Sequence, residues 1–264
     1  MISVVVSVYK HLDNLYLILL GLKRQSFKDF EVIISEDDDS PEMVEFVEQM
    51  RKEFNFPIKH VSHEDRGFRK CRILNNAITI SSGDKLVFLD GDCIPHRHSL
   101  RNYNKNIEEG TICCGRRVML SESLTKKIKN KKSLRYINFV SILLSGSKQV
   151  KHALYLPFIR PIKNSYCILG CNWGIMKSDI ISVNAFDMDY EIIGIGEDTD
   201  IDWCLKKKGM IIRKSTQSSL AYHLYHKERY STKSTTSNIV MLRQKWEEDN
   251  IYCKNGISEV GSLA

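Results

Sequence analysis

At 264 residues, 42% hydrophobic and 27% charged, the chain has the composition of a globular protein and the length of one large α/β domain. No apolar run approaches the roughly 18 residues of a membrane span (15–22 and 137–144 are the longest), and the opening residues carry neither a basic leader nor a small-residue cleavage site. The formal net charge of +7 is unevenly placed: residues 123–178 hold eleven Lys and Arg and no Asp or Glu, so the remainder is mildly acidic.

The first half alternates strand-like and helix-like runs, which predicts βαβ units and a largely parallel sheet. Residues 2–9 read as a β-branched strand. Residues 12–24 read as a helix, with Leu15, Ile18, Leu19 and Leu22 at helical spacing. A strand over 31–35 ends in the acidic run Glu36-Asp37-Asp38-Asp39, and Ser40-Pro41 supplies a cap and a first-turn proline for the next helix. A strand over 58–63, a helix over 69–80 and a strand over 85–89 follow. Each strand ends in polar residues, so one rim should collect Tyr9, Asp37, Asp65, Asp90 and Asp92, where open α/β sheets bind ligands.

The second half is less regular. A strand over 111–119 precedes the basic segment; Gly170-Cys171-Asn172-Trp173-Gly174, a helix over 177–183 and a helix from Gly196 through Lys208 come next. A strand over 210–213 leads to His223-Leu224-Tyr225-His226. Residues beyond about 252 read as a loose polar tail. Eight cysteines do not make a stapled scaffold at this length, and Cys113-Cys114 and Cys167-x3-Cys171 lack the C-x2-C spacing of zinc sites; free thiols in a reducing cytoplasm are expected.

Four constellations carry chemistry. Asp90-Gly91-Asp92 closes the apolar strand Lys85–Leu89; alternation along an extended chain would let both carboxylates share one hard cation, with Gly91 leaving room for a ligand, whereas the plain alternative is an Asp-Gly turn. Arg66-Gly67-Phe68-Arg69-Lys70-Cys71-Arg72 puts four cations at a helix start, either an anion site or a solvated helix end. Gly196-Glu197-Asp198-Thr199-Asp200 offers a general base, with a helix cap as the plain alternative for one of its acids. His223 and His226 are either packed core residues or ligands beside the Asp-x-Asp pair. No glycine-rich turn follows strand 1, which weakens dinucleotide and P-loop readings.

Taken in order over residues 2–226, these segments resemble the GT-A-fold family-2 glycosyltransferases, in particular the bacterial branch of the β-1,4-galactosyltransferase and chondroitin-polymerase type. Val4–Tyr9, Gly67-Phe68-Arg69-Lys70-x-Arg72-x-x-Asn75, Phe88-Leu89-Asp90-Gly91-Asp92-Cys93-Ile94-Pro95, Gly170-Cys171-Asn172, Asn184-Ala185-Phe186-Asp187, Gly196-Glu197-Asp198-x-Asp200 and His223-x-x-His226 carry the likeness. It implies a Rossmann-like nucleotide-binding half with a mostly parallel central sheet and an acceptor-side second half. Donor contacts would come from Ser7, Tyr9, Asp37, Arg69, Lys70, Arg72, Asp90 and Gly91. A divalent metal, Mn²⁺ or Mg²⁺, would sit on Asp92, Asp90 and His223; Asp198 would be the base, and Glu197, Asn172 and Trp173 would meet the acceptor. The chain departs from that family in Ser7-Val8-Tyr9-Lys10, where small residues usually follow strand 1, and in Ala185, which replaces a usual glycine.

The expected organisation is a nucleotide-sugar half over 1–120, a basic amphipathic insertion over 121–165, a catalytic half over 166–250 and a tail over 251–264. The cations of 126–163 interleave with apolar residues, which suits an inner membrane face with lipid-linked or glycan acceptors, or a solvated insertion packed on the domain; nucleic acid is not an expected partner. The reading is therefore an inverting transferase using a nucleotide sugar, most simply UDP-linked, in bacterial surface polysaccharide synthesis. The competitors are a nucleotidyltransferase and a non-catalytic membrane or polyanion binder.

Overall fold

The computed structural model describes residues 1–156, the backbone of 162–164, and residues 168, 170–215, 218–227 and 236–260. Eleven strands and nine α-helices are found among them. In the first half they are β1 (Ile2–Val8), α1 (Leu12–Lys23), β2 (Phe30–Glu36), α2 (Pro41–Glu53), β3 (Ile58–Val61), α3 (Lys70–Ile80), β4 (Lys85–Asp90), β5 (Cys93–Pro95) and α4 (Ser99–Asn106). In the second they are β6 (Thr111–Cys114), β7 (Arg116–Met119), α5 (Glu122–Lys131), α6 (Phe139–Leu144), β8 (Ile162–Asn164), β9 (Asn172–Met176), α7 (Lys177–Ile181), α8 (Glu197–Lys207), β10 (Ile211–Lys214), β11 (Leu220–His223) and α9 (Thr236–Glu247).

Eight strands form the central sheet in the order β3-β2-β1-β4-β9-β6-β10-β8; β9 and β8 run against their neighbours and the other six run one way. A mixed α/β fold with a mostly parallel sheet was the expectation, and it holds. The valine-rich β1 suits a strand covered on both faces. Val4, Val6 and Val8 join Leu15, Ile18, Leu19 and Leu22 of α1 in one core, while Val5 joins Ile33, Leu74, Ile78 and Phe88 in the other. On that second side Phe88 stacks on Trp173 with ring centroids 4.6 Å apart and meets Phe186 edge-on at 5.6 Å. Truncating such a ring to alanine costs about 3–5 kcal/mol.

Local signals were accurate where they were strong. Ser40 caps α2, its hydroxyl accepting the Met43 N–H at 3.2 Å, with Pro41 in the first turn. The single strand expected over 111–119 is two strands in different sheets: Gly115 divides it, and β7 joins a small sheet of order β5-β11-β7. A Cβ on Gly115 would lie 2.3 Å from both the Asn172 amide and the Ser219 carbonyl, so only glycine passes through this crossing. Ala185 sits at φ +57°, a left-handed conformation that the glycine usual at this place adopts without strain.

One further expectation changes. Residues 253–258 are pinned rather than loose: Cys253 is buried, its carbonyl accepts from the Asn184 amide at 2.7 Å, and the Asn184 carbonyl takes the Ile257 N–H at 2.9 Å. The described part of the basic segment packs on the domain's core on one side, as in the packed alternative expected for it. Leu124, Ile128, Leu134 and Ile142 pack with α1 and β1, and β8 pairs with β10. Phe139, Val140, Leu143 and Leu144 stay exposed. The seven cysteines among the described residues are buried and none of them is in a disulfide; Cys167 lies outside them. No helix among the described residues is long and apolar enough to cross a membrane.

Candidate active site

The Asp-x-Asp motif lies where the chain leaves the central sheet. Ser7 stands opposite Asp90 in register, and a Cβ on Gly91 would lie 2.6 Å from the Ser7 carbonyl; that backbone, not a ligand, fills the space beside Gly91. Residues 91 and 92 turn into β5, which pairs antiparallel with β11 so that Cys93 faces His223, and the Asp92 carbonyl accepts the Leu224 N–H at 2.8 Å. The turn breaks the strand's alternation, so the two carboxylates do not meet one shared partner. Asp90 pairs with Lys70 at 3.1 Å, whereas Asp92 faces His226 Nε2 at 3.0 Å and His223 Nε2 at 3.4 Å.

The second acidic cluster arrives from α8, its Glu197 standing 107 residues after Asp90, and meets the same lysine. Glu197 lies 3.8 Å from Lys70 Nζ, and Asp198 accepts the Gly170 N–H at 2.9 Å. A Cβ on Gly170 would fall 2.3 Å from the Asp198 carboxylate, so glycine is what lets the backbone approach. Lys70 and Asp198 share the lining of a narrow cavity with Ser7, Leu74, Phe88, Gly170 and Trp173, among others. The Ser7 hydroxyl is buried there without a partner.

Electrostatics in this cleft follow from crowding three carboxylates around one ammonium. Burial opposes charge on Lys70, but Asp90, Asp198 and Glu197 together hold it firmly protonated. Burial and the Asp198 charge push Glu197 up to about 7 against the pull of Lys70. Asp198 is raised as well, by burial and by Asp90, with Lys70 and the Gly170 N–H opposing. Carboxyl groups shifted toward neutrality in a cleft are suited to proton transfer. Asp200, one turn further, is elsewhere: it pairs with the buried Lys245 of α9 at 2.6 Å, which also holds Asp187 at 3.0 Å.

Elsewhere on the rim, Asp37 accepts the Arg69 N–H at 3.1 Å and contacts His63 Nε2 at 2.7 Å. Tyr9 is exposed at the rim, its hydroxyl donating to Asp65 at 3.2 Å, beside the Lys10–Asp65 pair at 2.7 Å. The Arg69 guanidinium donates to the Glu64 carbonyl. Arg72, two positions beyond Lys70, falls on a different face of α3 and makes no ion pair among the described residues, so it does not join Lys70. Asn172 and Trp173 are interior. The Asn172 amide donates to the carbonyls of Arg116 (2.9 Å) and Ser219 (3.0 Å) and accepts from Tyr103 (2.7 Å), which leaves it a framework residue; Trp173 is stacked on Phe88 and lines the cavity.

Sequence reasoning missed Arg117. It donates to Cys171 Sγ at 3.3 Å, and its charge is felt by Asp90, Asp198 and His223. Burial opposes that charge, while the hydrogen bond to Cys171 and the Asp90 carboxylate support it. An Arg-Arg pair in a short strand carried no signal of this. His63, which supports Asp37, was likewise invisible.

Asp92, His223 and His226 present one carboxylate oxygen and two imidazole nitrogens converging within hydrogen-bonding range, with His223 Nδ1 buried and unpartnered. Oxygen and imidazole donors of this kind fit a divalent cation such as Mn²⁺. The possible ligand atoms of Asp92, Cys93 and His223 lie within 4.8 Å of one another, but burial keeps the Cys93 thiol protonated.

The fold is similar to those of solved glycosyltransferase structures. Against the mannosyltransferase PcManGT from Pyrobaculum calidifontis in complex with GDP-Man and Mn²⁺, identity is 16% and the TM-score 0.62, covering 94% of this chain and 64% of that one. For GalNAc-T7 with UDP, GalNAc and Mn²⁺ the values are 13% and 0.67, covering 92% and 47%. For S. aureus TarS they are 16% and 0.58, covering 92% and 39%. The chain thus spans well under two thirds of the length of TarS and GalNAc-T7. No curated protein sequence matches it. The model of glycosyl transferase family 2 matches residues 3–179, which include Lys70 and the Asp-x-Asp motif and stop short of Glu197 and His223. Among the three classes that the sequence left open, this selects the enzyme that moves sugars: the chain belongs to glycosyl transferase family 2.

Proposed function

We propose that this protein is an inverting, metal-dependent transferase that moves a sugar from a nucleotide sugar, UDP-linked, to a glycan or lipid-linked glycan acceptor in bacterial surface polysaccharide synthesis. The observation that carries the reading is the Lys70 ammonium bridging Asp90 and Glu197, with Asp198 on the same cavity. Asp198 takes the proton from the acceptor hydroxyl as its oxygen attacks the anomeric carbon; the bond to the diphosphate oxygen breaks on the opposite face, and the anomeric centre inverts. Lys70 and Arg117 lie where they can meet charge developing on the diphosphate. Asp37, held by the Arg69 N–H and His63, and Tyr9 face the nucleoside end. A divalent cation on Asp92, His223 and His226, Mn²⁺ or Mg²⁺, would supply Lewis-acid neutralisation of the departing diphosphate. UDP in a TarS complex and Mn²⁺ in the PcManGT and GalNAc-T7 structures support these choices of donor and metal.

The exposed Phe139, Val140, Leu143 and Leu144, flanked by Lys127, Lys131 and Lys132, support peripheral contact with the cytoplasmic face of the inner membrane. Replacing the lysines between 126 and 132 by Gln should weaken co-sedimentation with anionic vesicles; unchanged binding refutes the contact. For the chemistry, UDP should raise the melting temperature only with Mn²⁺ or Mg²⁺ present, and Asp198→Asn should keep that shift while losing roughly 10²–10⁴-fold in turnover. A cation-independent shift, or an active Asp198→Asn enzyme, refutes the reading.

A further inference from the structure

A second cavity, of about 160 Å³, shares no lining residue with the catalytic one. It is bounded by Gly21 and Arg24 at the end of α1, Ile94–Arg97 along and after β5, Tyr222 of β11, and Leu134 and Ile137 from the basic segment. Because α1 returns against β1, Arg24 lies near the starting edge of the strands. The Met1 amino group paired with Asp29 marks that edge, and the donor rim is at the opposite one. A volume near the roughly 150 Å³ that admits a benzene ring is room for a real ligand group.

The lining divides by chemistry. Ile94, Pro95, Leu134 and Ile137 make an apolar floor. Arg24 and Arg97 stand exposed at the mouth, and neither has an ion-pair partner among the described residues. No carboxylate lines the cavity. His96 forms part of the wall, its ring packed on Tyr155 with centroids 4.7 Å apart. Burial, reinforced by His98, Arg97 and Arg24, pushes His96 down to about 4, so it is a neutral hydrogen-bonding group in a site whose surrounding charges are all positive.

We infer that this cavity binds a phosphate group carried on an apolar body, with Arg24 and Arg97 pairing with the phosphate oxygens and the Ile94–Pro95–Leu134–Ile137 floor receiving the adjoining carbon chain. Guanidinium groups recognise phosphate through paired N–H donors, and an apolar floor next to them selects an amphiphile over a bare anion. The same chemistry is offered by a phospholipid headgroup and by a soluble alkyl phosphate ester. The inference does not depend on the glycosyl-transfer reading, since none of these residues belongs to that cleft.

The test uses the full chain and the double variant Arg24→Gln/Arg97→Gln, whose exposed positions leave the core intact, with the UDP and metal melting shift as a control that should not change. Two probes are applied: co-sedimentation with phosphatidylcholine vesicles with and without phosphatidylglycerol, and titration with hexyl phosphate followed by the His96 imidazole NMR signals. Loss of phosphatidylglycerol-dependent binding by at least about tenfold in the double variant assigns the site to a lipid headgroup. Movement of the His96 signals by hexyl phosphate in the parent and not in the variant, with vesicle binding unchanged, assigns it to a soluble phosphate ester. The inference is overturned if hexyl phosphate leaves His96 unmoved and both proteins bind both vesicle types equally.

Discussion

Replacing Glu197 by Gln should stabilise this enzyme at pH 8 while impairing it. Glu197 is 7% exposed, its Oε2 atom has no partner, and its carboxyl is pushed up to about 7 from an ordinary 4.5 by burial and Asp198. Between those two values the folded protein keeps a proton that the unfolded chain has released. Stability therefore falls as pH rises from 4.5 to 7, and the whole penalty stands above 7. An interval from 4.5 to 7 corresponds to about 3 kcal/mol. Glutamine mimics the protonated acid in shape, but its NH₂ group enters a position where nothing accepts, which returns about 1–2 kcal/mol. Glu197→Gln should thus gain about 1–2 kcal/mol at pH 8, roughly 2–8 °C in melting temperature, and fall about 1 kcal/mol below the parent at pH 4.5, where the protonation penalty is almost gone and the cost of the unaccepted NH₂ remains. Urea denaturation of both proteins at the two pH values measures this directly, and turnover should fall in parallel. A variant less stable than its parent at pH 8, or a difference that ignores pH, would refute the account of three carboxylates crowded around Lys70.

Lys245→Met strands Asp187 and Asp200 without their cation and should cost roughly 3–5 kcal/mol in urea unfolding; near-parental stability would show that α9 does not neutralise a buried acidic pair. Arg117→Lys keeps a charge but loses the planar fork that donates to Cys171, so kcat should drop at least about tenfold with little change in melting temperature, and an unchanged kcat removes Arg117 from the site. His223→Ala and His226→Ala should each raise the Mn²⁺ concentration needed for the UDP-dependent melting shift by at least roughly tenfold, and an unaffected variant identifies a histidine that is not a ligand.

Much of the candidate site was visible in the chain because its signals are local. An apolar strand ending in Asp90-Gly91-Asp92, a helix opening on Gly196-Glu197-Asp198, and a cationic helix start at Lys70 each follow from spacing and capping within a few residues. Their meeting was an expectation, and coordinates brought Asp90, Glu197 and Asp198 around one ammonium. Local spacing failed where the chain changes sheets. Asp90 and Asp92 would share a partner on a continuing strand, but the turn at Gly91 sends one to Lys70 and the other to His223 and His226.

What residue order alone settled was the elements: β-branched runs make strands, apolar residues at helical spacing make helices, and Ser40-Pro41 starts one, all through interactions spanning a turn or less. Only the tertiary structure decided which charges neutralise which. Lys245 reaches Asp187 and Asp200 across 58 and 45 residues, Arg117 reaches Cys171 across 54, and the Asn172 amide is used up by Tyr103, Arg116 and Ser219. A buried charge or amide must find a partner, and no local pattern specifies which distant segment the packed sheets will bring to it.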